Sequence, residues 1–284
     1  MNVRPGRLRV SLLGNCCLFG MLVISWTVQG EEPAANTPHV VPHRGLLRHA
    51  PENTLASFRA CLELRLGFEF DVRRSKDGHL VCVHDTTLDR TTNGHGPVAE
   101  RTLAELKQLD AGSWFDPAFR AERIPTIDEI FALLAAHPHA DVLVTADMKG
   151  DDPEIEADVI RLAKKHGVLP RLLFIGRSIE HPEVRRRLRQ AAPEAHVAAL
   201  ANRPDEFEAA LAEPDADWVY LRYVPTAAEM KKVHAQGKKA FIAGVTTVGG
   251  RLPENWRKAR DAGIDGILTD YPLELVRGLR HDEW

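Results

Sequence analysis

From residue 39 onward, short apolar runs alternate with longer amphipathic stretches almost without pause. Strands are expected at about 40–44, 68–72, 81–84, 141–148, 171–175, 196–200, 218–222, 239–245 and 266–268. Helices are expected near 54–66, with Asn53 as N-cap, and at 126–137 and 153–166. Repeated strand–helix alternation implies a parallel sheet. With roughly eight such units, the economical closure is a (β/α)₈ TIM-type barrel. A doubly wound open sheet is the rival, but no glycine-rich dinucleotide loop follows the first strand.

Nine strand candidates compete for eight places, and the stretch GFEFDVRRSKDGHLVCVHD accounts for part of the excess. Phe68, Phe70 and Val72 alternate with Glu69 and Asp71, and Val81 and Val83 alternate with Cys82 and His84. The connection through Ser75 and Gly78 is too short for a parallel crossover, so one arm must pair antiparallel. With Lys76 and Asp77 as a two-residue loop, Asp71 would face Cys82 and Glu69 would face His84. A slip of one residue would scatter that cluster.

Acids on a strand face fit either an exposed sheet surface or a site, and the rest of the chain decides between them. In a barrel, chemistry gathers at the C-terminal strand ends. The first strand ends in His43 and Arg44, the second carries Glu69 and Asp71, and the strand DVLVTADMK ends with Asp147 and Lys149. Glu69, Asp71 and Asp147 are hard oxygen ligands without a cysteine cluster, which favours Ca²⁺ or Mg²⁺ over zinc. His43 and His84 are placed to act as general base and general acid. Arg44 and Lys149 supply positive charge for a phosphate. Together these groups suit displacement at phosphorus on a small-molecule phosphodiester.

These residues resemble the glycerophosphodiester phosphodiesterase family. The resemblance rests on His43-Arg44-Gly45, Pro51-Glu52-Asn53-Thr54, Glu69-x-Asp71, KDG, His84-Asp85 and GIDGILTDYP, and covers nearly all of residues 39–275. It implies a barrel with a small insertion after the hairpin, at about 86–125. It also implies hydrolysis of deacylated phospholipid head groups to glycerol 3-phosphate and an alcohol. Carried onto this chain, His43 and His84 are the acid/base pair, Glu69 and Asp71 bind the metal, and Arg44 contacts phosphate. Three departures touch the pocket: Asp147 stands where the family usually has glutamate, FIAGVTT replaces a Trp-Thr-Val-Asn strand, and TDYP replaces TDRP. A lyase releasing a cyclic phosphate and a weakly catalytic phospho-polyol binder are the alternatives.

Outside this segment the N-terminus stands apart. Arg4, Arg7 and Arg9 precede an apolar stretch at 10–28, which predicts a signal peptide at 1–30, a linker at 31–38 and one barrel domain at 39–284. The expectation is an exported protein, periplasmic or secreted, with no stable membrane insertion after cleavage; an uncleaved anchor is the alternative. Net charge of −3 argues against a nucleic-acid surface. Cys61 and Cys82 would remain in the mature chain, as buried free thiols or a disulfide.

Overall fold

The computed structural model describes residues 37–138, 141–150, 152–282 and 284. The expected signal peptide and most of the expected linker lie outside them. Nine strands lie among the described residues: β1 (His39–Pro42), β2 (Phe68–Arg74), β3 (Leu80–Cys82), β4 (Val144–Met148), β5 (Leu172–Gly176), β6 (His196–Ala201), β7 (Trp218–Leu221), β8 (Lys239–Ile242) and β9 (Gly266–Thr269). The helices are α1 (Leu55–Glu63), α2 (Leu103–Leu106), α3 (Ile127–Ala135), α4 (Ile155–His166), α5 (Arg177–Glu180), α6 (Pro182–Ala191), α7 (Phe207–Ala212), α8 (Ala227–Ala235), α9 (Pro253–Ala262) and α10 (Pro272–His281).

The sheet runs β1-β9-β8-β7-β6-β5-β4-β2-β3. Every pairing is parallel except that of β3, which lies antiparallel on β2. At the start of β2 the edge turns back to β1, where the Gly67 N–H donates to the Val40 carbonyl at 3.2 Å. Eight parallel strands thus form a TIM-type barrel, and the ninth is the second arm of the hairpin.

Two apolar layers follow from period-two alternation along the strands. Val41, Leu143, Leu173, Ile175, Trp218, Tyr220 and Phe241 fill the barrel interior. Phe68, Phe70, Val72, Val144, Ala146 and Met148 face outward onto the helices. Phe58 of α1 stacks on Phe68 at 4.4 Å between centroids, and Phe131 of α3 meets Phe70 edge-on at 5.8 Å. The helices are secured at their starts: Thr102, Thr126 and Thr226 each form a capping box with Glu105, Glu129 and Glu229.

Between β3 and α3 the chain folds over a separate small core of Val81, Val83, Leu88, Val98, Leu106, Ala111 and Ile124. It returns to the hairpin through a Cys82 N–H to Pro125 carbonyl bond of 2.9 Å. Cys61 and Cys82 are both free and buried, which settles the choice left open by the sequence. No helix among the described residues is long and apolar enough to cross a membrane.

The hairpin register differs from the expected one. Val72, not Asp71, faces Cys82, and Arg73 and Arg74 face Val81 and Leu80. The reason is the turn. Ser75 pairs with His79 through the Ser75 N–H, leaving a three-residue loop that ends at Gly78, whose φ is +88°. A left-handed glycine closing a three-residue loop adds one residue to the connection and shifts the ladder by one. Cys82 therefore lies on the outward side with Val72, and His84 lies beyond the end of β3 rather than opposite Glu69.

Phe131 is fully buried and backs the strand that carries two of the acids. Replacing it by alanine should destabilise the chain by about 3–5 kcal/mol. Urea unfolding followed by circular dichroism reads this directly; a midpoint unchanged from the parent would refute the packing assigned to that ring.

Candidate active site

Because β2 and β4 pair in register, Glu69 lies beside Thr145 and Asp71 beside Asp147. Both strands turn these residues inward at the C-terminal mouth. One oxygen from each of Glu69, Asp71 and Asp147 lies within 4.8 Å of the others. Glu69 and Asp71 are almost fully buried. Burial first, and then the charges of Asp71 and Asp147, push the Glu69 carboxyl well above the usual range. Asp147 is raised by burial too, although Lys149 opposes the shift.

The counter-charges are local. Lys149 Nζ donates to Asp147 and lies 3.2 Å from Asp71 Oδ1. Burial would lower the lysine's affinity for its proton, but Asp71 and Asp147 outweigh that and raise it. The Arg44 backbone N–H donates to Glu69 Oε2 at 2.8 Å, and its guanidinium lies 3.7 Å from Asp71. Arg44 takes φ +53°, which turns its N–H toward that carboxylate.

Asn53 is not the N-cap that the sequence suggests. Thr54 caps α1 by accepting from the Ser57 N–H. Asn53 is left-handed, with φ +56°, and buried. Its amide nitrogen donates to Asp71 Oδ2 at 2.8 Å, while its oxygen accepts from the Cys82 thiol at 3.0 Å. The motif Pro51-Glu52-Asn53-Thr54 held that signal, since asparagine tolerates the left-handed region and bonds locally.

The two histidines are held alike. His43 Nδ1 is 2.8 Å from Asp270 Oδ1, and His84 Nδ1 is 2.7 Å from Asp85 Oδ1. A carboxylate on Nδ1 fixes the ring and leaves Nε2 for proton transfer. Asp270 was present in the TDYP motif without a role; it is the partner of His43. Arg73 clamps the His84 carbonyl with two donors, at 3.0 and 2.6 Å. His43, Glu69, Asp147, Tyr220, Arg222 and Val245 line a cavity of about 280 Å³. Trp218 is buried one layer below Tyr220 in the barrel interior and is not part of that lining.

Asp147 owes its room to a neighbour on β5. Gly176 has φ +73°, and a β-carbon there would lie 2.2 Å from Asp147 Oδ1.

The donor set fits a hard divalent cation. Three carboxylate oxygens converge, and Asp71 Oδ1 is buried without a hydrogen bond, though Lys149 lies within ion-pair range of it. Three carboxylates against Arg44 and Lys149 leave the inner site one charge negative. A divalent cation reverses that sign, and a phosphodiester monoanion completes the balance.

Comparison with known proteins gives one consistent result. A profile of the glycerophosphoryl diester phosphodiesterase family matches residues 43–274. The glycerophosphodiester phosphodiesterase of Caldanaerobacter subterraneus subsp. tengcongensis is 35% identical over 258 residues, covering 85% of this chain and 97% of that protein. The crystal structure of the glycerophosphodiester phosphodiesterase from Agrobacterium tumefaciens superposes with a TM-score of 0.68 at 29% identity, covering 83% of this chain and 97% of that one. An Oleispira antarctica phosphodiesterase, solved with its product sn-glycerol-3-phosphate, gives a TM-score of 0.70 at 26% identity, covering 86% and 97%. The match takes in strands β2 to β9 and every rim segment that carries the acids and histidines, so this chain belongs to the glycerophosphoryl diester phosphodiesterase family of enzymes.

Proposed function

We propose that the protein hydrolyses glycerophosphodiesters to glycerol 3-phosphate and an alcohol, with Glu69, Asp71 and Asp147 holding Ca²⁺ or Mg²⁺ and His43 and His84 transferring the protons. The observation that carries this reading is the convergence at one barrel mouth of three carboxylates, two of them buried, and two imidazoles, each imidazole tied at Nδ1 to its own carboxylate.

A bound divalent cation would polarise a phosphoryl oxygen and offset the charge that builds up during displacement. Arg44, braced by Glu52 at 3.0 Å, offers a planar guanidinium to a second phosphate oxygen. Lys149 is pinned between Asp71 and Asp147 and holds the acids apart from full mutual repulsion. With phosphate bound it can share its charge with the substrate. One histidine Nε2 takes a proton from an attacking water while the other, protonated, gives one to the departing alkoxide; attack by the substrate's own glycerol hydroxyl would instead give a cyclic phosphate, which water then opens to glycerol 3-phosphate with the two roles exchanged. The alcohol leaves through the cavity beside Tyr220, Arg222 and Val245. We also propose export, carried by the apolar stretch 10–28 behind its arginines. N-terminal sequencing of protein recovered outside the cytoplasm should find a mature start near residue 31, and a retained Met1 would contradict cleavage.

Incubation of the protein with glycerophosphocholine, glycerophosphoethanolamine and glycerophosphoglycerol should release glycerol 3-phosphate from at least one of them. Chelator should stop release, and added Ca²⁺ or Mg²⁺ should restore it. The cation should also raise the unfolding midpoint, by about 2.7 kcal/mol of stabilisation at a hundred times its dissociation constant. Asp71→Asn should lose that thermal shift; full turnover in chelator would sink the metal assignment.

His43→Ala and His84→Ala should each lower kcat on the order of 10²- to 10⁴-fold. Both side chains are only part-buried, so unfolding midpoints should stay close to the parent's. Turnover within a few-fold of the parent in either variant would remove that residue from proton transfer.

A further inference from the structure

Arg90 comes from the segment between β3 and α3 and touches none of the three acids, yet it makes the densest side-chain contacts at the rim. Nε and Nη2 donate to Asp85 Oδ2 and Oδ1 at 2.7 and 3.0 Å. Nη1 and Nη2 donate to Glu52 Oε2 and Oε1 at 2.7 and 2.8 Å. One planar guanidinium therefore grips two carboxylates from separate parts of the chain.

Each of those carboxylates has a second duty. Glu52 Oε1 also accepts from Arg44 Nη1 at 3.0 Å, and Asp85 Oδ1 also meets His84 Nδ1 at 2.7 Å. The result is a continuous chain of charged contacts: Arg44, Glu52, Arg90, Asp85, His84. Its inner ends are the proposed phosphate-binding cation and one of the proposed proton-transfer groups. Its centre is the only member supplied by the insertion. Arg90 is also the most exposed of the five, at 43% of its side chain, while Glu52 is 9% exposed.

We infer that Arg90 is a positioning residue: acting through Glu52 and Asp85, it fixes the spacing between Arg44 and His84 and so makes the insertion part of the catalytic apparatus. This rests on the proposed roles of Arg44 and His84. Hydrogen bonds from Arg90 hold Asp85 far below the usual carboxylate range. Burial works against ionisation of Glu52, but Arg90 and Arg44 prevail and lower it. Both carboxylates therefore stay charged and keep their grip on the inner partners. Without Arg90, two neighbouring anions would lose their common counter-ion, and each inner partner would lose its brace.

Steady-state kinetics with whichever glycerophosphodiester proves to be the substrate test this. Arg90→Ala should lower kcat on the order of 10- to 100-fold, with KM changed by less than about 3-fold. Arg90→Lys keeps the charge but cannot form two bidentate pairs, so it should recover only part of the loss. Because the effect runs through Asp85, adding Arg90→Ala to Asp85→Asn should cost only a few-fold more than Asp85→Asn alone. The same should hold against Glu52→Gln. If Arg90→Ala is too unstable to assay, Arg90→Lys takes its place in both cycles.

Near-parental kcat, a rise in KM alone, or full additivity in both cycles would each overturn the inference. His84→Ala is assayed alongside. Parental turnover there would remove His84 from proton transfer, the role on which this inference rests, whereas an inactive His84→Ala beside an active Arg90→Ala would refute only the role of Arg90.

Discussion

Everything at the mouth of this barrel answers to one problem, the crowding of three carboxylates in a place with little water. Left alone, Glu69, Asp71 and Asp147 would repel one another and lose hydration. The surrounding residues are arranged to offset that. Lys149 lies between two of the acids, the Arg44 N–H and the Asn53 amide each satisfy one carboxylate oxygen, and both donors come from the single loop after β1. That loop can do this only by taking left-handed backbone at two residues that are not glycine. Local strain is thus maintained by the same contacts that it makes available.

The acids keep their places because of what stands behind them. Phe68, Phe70 and Val72 occupy the other face of the strand that carries Glu69 and Asp71, and Phe58 and Phe131 close over that face. Alternation converts a rigid apolar contact on one side into fixed carboxylate positions on the other. The neighbouring strand repeats the device, with Val144, Ala146 and Met148 outward and Asp147 inward. Register between the two strands then brings Asp71 and Asp147 side by side.

The sequence exposes much of this. Strand positions and the barrel class follow from alternation, and the metal-type acids follow from their place at strand ends. The register of the hairpin does not follow, because a two-residue and a three-residue loop read almost alike in SKDG until the backbone of Gly78 is known. Asn53 looks like a cap because Thr54, which takes that task, is its neighbour. Asp270 lies 227 residues from His43, and Arg90 lies 38 residues from Glu52, and no periodicity links such distances. Side chains that act by touching another side chain, rather than by lying on a strand face, are the ones that one-dimensional patterns leave out.

Gly176 carries the same thought further. It has no reactive group, belongs to a strand that supplies no ligand, and would be passed over in any search for chemistry. Yet the space that its missing side chain vacates is the space that Asp147 fills, and its neighbours there include the backbone of Met148 as well. A shorter acid at that position and a residue of no width beside it are therefore one spatial decision. The boundary of the active site is drawn partly by a vacancy, and a redesign that lengthens Asp147 or widens Gly176 must treat the pair as a single volume.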